Sequence, residues 1–226
     1  MKNDKIRVLK VYGKLICLMY KYRKMLNDNH INNHAVCQRI CRELMKSFSI
    51  DCEICGLDNI PENDCLIISN HISFFDIIVF LAVIEKPVSF AYAENLLRLP
   101  ILRKYISSLG GVCITSSKIK SILNGIHRAL KQSSLIVFPE GKCSYSNDNV
   151  QQFQRGCFVN FKDLKTPILP VYLKYDKIHS FNKWVTPEKK IQIIINKSFF
   201  PDENMNSKQL SKYCHDIVAG SGNRKR

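Results

Sequence analysis

Apolar residues recur at helical spacing near the start of the chain, at Val8, Val11, Tyr12, Leu15, Leu18 and Met19, which predicts an amphipathic helix from about Ile6 to Leu26. A second helical stretch follows from about Asn33 to Phe48. From Ile50 the period changes. Ile50, Cys52 and Ile54 alternate as one face of a strand that stops at Gly56, and Leu66 to Ser69 reads as a short buried strand. Further strands are predicted at Val88–Tyr92, Val112–Thr115, Leu135–Phe138, Ile168–Leu173 and Ile191–Ile195. Helices are predicted between and after them, at Asp76–Ile84, Leu102–Leu109, Lys118–Lys131, Phe153–Leu164 and about Ser207–Val218. Such alternation implies an α/β fold, a mixed sheet covered by helices, preceded by an N-terminal amphipathic helical pair. The expected organisation is a helical segment over residues 1–48, one α/β domain over 49–219, and a frayed tail over 220–226.

Charge adds a partner class to this picture. The chain of 226 residues carries a formal net charge of +15, which favours anionic partners. Lys5, Arg7, Lys10, Lys14, Lys21, Arg23 and Lys24 surround the stripe of the first helix, and a basic helix with an apolar stripe can lie in a membrane interface. The competing reading buries the stripe and leaves the lysines solvated. No nucleic-acid-binding module accompanies the charge, so nucleic acid is not the expected partner. The longest clean apolar run, Ile77 to Ile84, is less than half of the roughly 20 residues that a spanning helix needs. With no signal peptide evident, a cytoplasmic, peripheral protein is expected.

Ten cysteines without a secretion signal are expected as reduced thiols. Cys52 and Cys55 form a CxxC, with Cys37 and Cys41 upstream, but the alternation of Cys52 with its neighbours reads as a strand, and no metal is expected.

The chemistry concentrates at Asn70-His71-Ile72-Ser73-Phe74-Phe75-Asp76, just past the Leu66–Ser69 strand. An imidazole with a carboxylate to orient it can activate a hydroxyl. Five residues on a helix turn through about 500°, so His71 and Asp76 cannot cooperate inside one helix. If Ser73 caps the helix, with Asp76 three positions on in a capping-box-like arrangement, His71 lies in the loop ahead and can fold over the first turn to meet the carboxylate. A second segment, Phe138-Pro139-Glu140-Gly141, ends another apolar run, and alone it reads as a turn after a strand.

Taken together, the ordered segments from Gly56 to Tyr172 resemble the glycerolipid acyltransferase family, whose best-known member acylates lysophosphatidate. Asn70, His71, Ser73 and Asp76 match its NHxSxxD block. Gly110 to Ser116 meet a G-x-x-x-I-D-R block, Phe138 to Ser144 an FPEGTRS block, Phe153 to Gly156 an F-K-x-G block, and Leu169-Pro170-Val171 an apolar-Pro-Val block. The resemblance implies that His71 is the general base and Asp76 its partner. It implies transfer from acyl-CoA or acyl carrier protein to a lyso-lipid hydroxyl, with no other cofactor and no acyl-enzyme. Asn70, Ser73, Glu140 and Gly141 are expected in the substrate site, with backbone amides near Gly141 as oxyanion donors.

Two departures bear on the acceptor. Ser116 and Cys143 stand where the family has arginines associated with the acceptor's phosphate, and neither can copy a bidentate fork. Lys142, with Lys118 or Arg155, is the expected replacement cation set. The alternatives are an acceptor without a phosphomonoester, such as a lysophospholipid or lyso-aminolipid, and a non-catalytic membrane-binding protein on the same scaffold. An anionic membrane surface, met by the N-terminal helices, completes the expected partners.

Overall fold

The structure, a computed structural model, describes residues 2–98, 100–114, 119–159, 161 and 165–222. Its frame is a seven-stranded sheet in the order β1-β9-β6-β2-β5-β3-β4. The strands are β1 (Asp51–Cys55), β2 (Leu66–Ser69), β3 (Val88–Tyr92), β4 (Val112–Cys113), β5 (Ser134–Val137), β6 (Ile168–Tyr175) and β9 (Lys190–Ile195). All neighbours are parallel except β6 and β9. The helices are α1 (Lys2–Tyr22), α2 (His30–Ser47), α3 (Phe75–Val83), α4 (Pro100–Ser108), α5 (Ile119–Leu130), α6 (Arg155–Phe158) and α7 (Ser207–Ser221). The α/β architecture read from the alternation is therefore the one observed.

Both faces of the sheet are covered, and successive strand residues face opposite layers. Ile67, Ile136, Leu169, Val171 and Leu173 pack with α1 to α4. Leu66, Ile68, Leu135, Val137, Ile168 and Tyr172 pack with α5 to α7. Helix α3 is apolar on every side, as its sequence FDIIVFLAV dictates, and is correspondingly buried.

The stripe of α1 is core. Val8, Val11, Leu15, Leu18 and Met19 are all at most 6% exposed against the body of the protein. The expectation that this stripe inserts into lipid is therefore corrected. A period of 3.6 marks a face that is buried, not what buries it. The same helix carries a second apolar strip that is open: Ile6, Leu9, Gly13, Ile16 and Tyr20 lie within an arc of about 80° at 100° per residue, and all are exposed. Lys2 lies within this strip and Lys5 and Lys10 flank it, all of them exposed. No helix among the described residues is long and apolar enough to cross a membrane.

An antiparallel hairpin, β7 (Ile178–Phe181) and β8 (Trp184–Pro187), was not anticipated. Its turn residues Asn182 and Lys183 both have positive φ, 48° and 66°, as a two-residue hairpin turn requires. Helix α1 holds the hairpin in place: the Tyr12 hydroxyl donates to the Val185 carbonyl at 2.8 Å, and Arg7 donates to Pro187 and Glu188 carbonyls. Two smaller expectations also change. Of the helix expected over Phe153–Leu164, the described residues form only α6, with 160 and 162–164 outside them. The tail does not fray at Gly220 and Ser221, because α7 runs on to Ser221, whose buried hydroxyl bonds Asn196.

Candidate active site

Strands β2 and β5 are parallel neighbours, so their C-terminal ends open at the same edge of the sheet, where ligands of open α/β sheets bind. The His71 loop leaves β2 there and the Phe138–Ser144 loop leaves β5. The loops are stitched together: Ser144 N–H donates to the His71 carbonyl at 2.8 Å, and Tyr145 N–H to that of Ile72 at 3.0 Å. Gly141, at φ +71°, closes a turn in which its own N–H donates to the Phe138 carbonyl at 3.1 Å.

His71 precedes α3 and folds back over its first turn, as the sequence implied. His71 Nδ1 lies 2.8 Å from Asp76 Oδ2. The same oxygen accepts the N–H groups of Ile72 at 2.7 Å and Ser73 at 3.0 Å. The Ser73 hydroxyl accepts from Phe75 N–H at 3.0 Å, which caps the helix start. A buried carboxylate needs such partners to remain charged, and Asp76 is fully buried. Its other oxygen accepts a hydrogen bond from the buried Tyr175 hydroxyl, at the C-terminal end of β6.

A carboxylate only accepts, so Nδ1 carries the ring proton and Nε2 is left as the basic nitrogen. The His71 ring stacks on Phe138, with centroids 4.0 Å apart and planes 12° apart. Burial works against a charged ring, but the Asp76 hydrogen bond, helped by Cys143, outweighs it and moves His71 up to about 10. On the far side of the ring, Cys143 Sγ lies 3.2 Å from Nε2.

His71, Gly141, Lys142 and Cys143 line a cavity of about 500 Å³ with Trp184 and Lys183 of the hairpin turn. It abuts a smaller, apolar cavity of about 70 Å³, reached past Phe74, Ile77, Tyr92 and Leu96 and lined farther in by Leu15 and Met19 of α1, Ile40 of α2 and Leu102 of α4. The arrangement offers a base, an apolar slot and cations at one mouth.

Residues 51–174 match the family model described as Acyltransferase. The chain belongs to the acyltransferase family. The 1-acyl-sn-glycerol-3-phosphate acyltransferase of Saccharomyces cerevisiae is 25% identical over 199 residues, covering 85% of this chain and 66% of that protein. The chloroplastic 1-acyl-sn-glycerol-3-phosphate acyltransferase of Brassica napus is 28% identical over 127 residues, covering 54% of this chain and 36% of that one. The chain thus spans between about a third and two thirds of the length of these curated relatives. The fold is that of the 1-acyl-sn-glycerophosphate acyltransferase of Thermotoga maritima, with a TM-score of 0.79 at 22% identity over 97% of this chain and 96% of that one.

In this member of the acyltransferase family, several residues expected to touch substrate instead brace the His71 loop and the strands beside it. Asn70 is buried, and its side chain spans Leu173 of β6, donating to the carbonyl at 2.9 Å and accepting the N–H at 2.8 Å. Ser73 is fully buried as the helix cap. Glu140, 2% exposed, accepts the His71 N–H at 3.2 Å and the Gln151 N–H at 3.3 Å through Oε1, while Oε2 has no partner. Burial pushes this carboxyl up to about 7. Arg155 is exposed on α6, hydrogen-bonded to Ser207 of α7, and does not line the cavity. Lys118, with Ser116, lies outside the described residues. The Gly141 N–H is already committed, so the amides of Lys142 and Cys143 are the nearby oxyanion donors left open. Cys52 and Cys55 lie on β1 as the alternation implied, half-buried and exposed respectively.

Sequence reasoning missed Tyr175, the hairpin residues Lys183 and Trp184, and the contact of Cys143 with the ring. The Asn182-Lys183 turn, between Ile178–Phe181 and Trp184–Pro187, was the available signal for the hairpin.

Proposed function

We propose that this chain is a peripheral membrane O-acyltransferase that moves a fatty acyl group from acyl-CoA or acyl carrier protein to a hydroxyl of a lyso-glycerolipid. The observation that carries this reading is the 2.8 Å contact of His71 Nδ1 with the buried Asp76, which strengthens the imidazole as a base and orients its ring at the cavity. A general base at the right place contributes about 10²–10⁴ in rate, and holding both substrates beside it contributes more. The larger cavity of about 500 Å³, with Phe74, Ile77, Leu96 and Trp184 in its lining, suits the acyl chain.

Lys142 and Lys183 at the cavity mouth suit an acceptor phosphate, as point charges rather than forks. Of the expected partners of Lys142, Arg155 does not line the cavity and Lys118 lies outside the described residues. The names of the yeast and Brassica relatives favour 1-acylglycerol-3-phosphate as acceptor. A zwitterionic lysophospholipid is the second reading, favoured by Cys143 standing against His71 where the family carries an arginine. The open strip of Ile6, Leu9, Ile16 and Tyr20, with its lysines, suits docking on the anionic cytoplasmic face of a membrane.

The test is product formation by the purified protein from one acyl thioester and a panel of lyso-lipids. Acylation of lysophosphatidate, with KM for it raised in Lys142→Ala and Lys183→Ala, supports the first reading. Acylation of zwitterionic lyso-lipids alone selects the second. No acylated product with either donor type rejects both.

A further inference from the structure

We propose that Cys143 is the nucleophile of this site, so that acyl transfer runs through a Cys143 S-acyl enzyme. The inference rests on the acyltransferase reading above and changes its route.

The geometry is that of a Cys-His-Asp triad. Asp76 occupies Nδ1 of His71, and Cys143 Sγ sits 3.2 Å from Nε2, the one nitrogen able to take a proton. Backbone bonds from Ser144 and Tyr145 to the His71 loop fix the sulfur there, immediately beside their points of attachment. The thiol is half-buried and faces the same cavity as the imidazole. Direct transfer requires the acceptor hydroxyl to stand where the thiol already stands. A thiol is also the stronger nucleophile, and its activation by an adjacent oriented base is the general pattern of covalent catalysis.

The steps balance without any further reactant. The Cys143 thiol gives its proton to His71 Nε2, and Sγ attacks the donor's thioester carbonyl carbon. The carbon–sulfur bond to the donor breaks, and the departing thiolate takes the proton from His71. One thioester has replaced another. Cys143 no longer has a proton to donate, so Nε2 is free for the acceptor. The acceptor hydroxyl gives its proton to Nε2, its oxygen attacks the Cys143 thioester, and the Cys143 sulfur leaves and recovers the proton. The sum is acyl thioester plus alcohol giving ester plus thiol.

The test is intact-protein mass spectrometry of the purified chain mixed with a long-chain acyl-CoA, or with acyl carrier protein loaded with the same chain, without acceptor. One acyl group is expected per chain, cleaved by neutral hydroxylamine, located on the peptide holding Cys143, and discharged into product by lyso-lipid as fast as turnover. It is absent from Cys143→Ala, which loses transfer while keeping the native melting temperature. The proposal is overturned by no adduct in the native chain, by an adduct on another cysteine, by discharge slower than turnover, or by native transfer rates in Cys143→Ala. Full transfer in Cys143→Ala with loss in His71→Ala would reject the covalent route and leave the acyltransferase reading standing. Absence of transfer in the native chain would reject that reading itself.

Discussion

The Tyr175 hydroxyl donates to Asp76 Oδ1, while His71 occupies Oδ2 of the same carboxylate. The end of β6 is thereby joined to the start of α3, directly beneath the base. Asn147 holds Tyr175 in place, donating to its carbonyl at 2.7 Å and accepting its N–H at 3.1 Å. Replacing Tyr175 by Phe removes a bond to a buried charge, and bonds to charged groups contribute roughly 1.5–3 kcal/mol. Urea denaturation of Tyr175→Phe should show a loss of that order, with slower transfer as Asp76 loses its anchor. Unchanged stability and rate would mean that Tyr175 does not position Asp76.

Glu140 makes stability depend on pH. Burial raises its carboxyl from 4.5 to about 7, so the folded state holds a proton that the unfolded chain gives up earlier. Its contribution is present in full below 4.5 and is lost as pH rises through about 7. His71, raised to about 10, stabilises fully below 6.5 and loses its contribution only as pH rises through its own folded value. Between pH 4.5 and 6.5 Glu140 lowers stability as pH rises, while His34, whose ring is lowered to about 4 by burial, raises it over the same window. The Glu140 share is read as a difference: in urea unfolding, the stability of Glu140→Gln relative to the native chain should rise by on the order of 2 kcal/mol from pH 4.5 to 6.5. A Glu140→Gln curve parallel to the native one would remove Glu140 as a cause of pH dependence.

The open strip of α1 gives a separate prediction. Leu9 and Ile16, 53% and 46% exposed, lie outside the buried core, so Leu9→Glu with Ile16→Glu should leave unfolding free energy within about 1 kcal/mol. The same pair of changes removes roughly half the burial value of two large aliphatic side chains from a lipid contact, a loss of about tenfold or more in vesicle affinity. Flotation with vesicles containing acidic lipids reads the difference. Equal flotation of native and variant chains would exclude this strip as the docking face.

What was legible in the sequence follows from what periodicity encodes. The short apolar runs of β2, β5 and β6 read as strands because helices bury them on both sides, while alternation was legible only in β1, at Cys52 and Ile54. The His71–Asp76 pairing was legible because Ser73 fixes where α3 begins, and so which side of it His71 lies on. The stripe of α1 was legible as a buried face, but its partner was not, since protein and lipid leave the same pattern. The second strip was hidden by Lys10 and Lys14 between its members. Asn70 and Glu140 sit within recognisable blocks, yet their role as backbone clamps on Leu173 and His71 depends on contacts between segments far apart in the chain. Cys143 read as a missing arginine until β2 and β5 stood side by side and brought its sulfur to the ring.

The central claim is that His71 is the proton-accepting group of acyl transfer. Its most direct measurement is the initial rate of acylated lyso-lipid formation by native protein and His71→Ala, side by side, with circular dichroism confirming that both are folded. The account predicts a loss of about 10²–10⁴ in kcat/KM for the variant. A folded His71→Ala protein that transfers acyl groups within a few-fold of the native rate would contradict it.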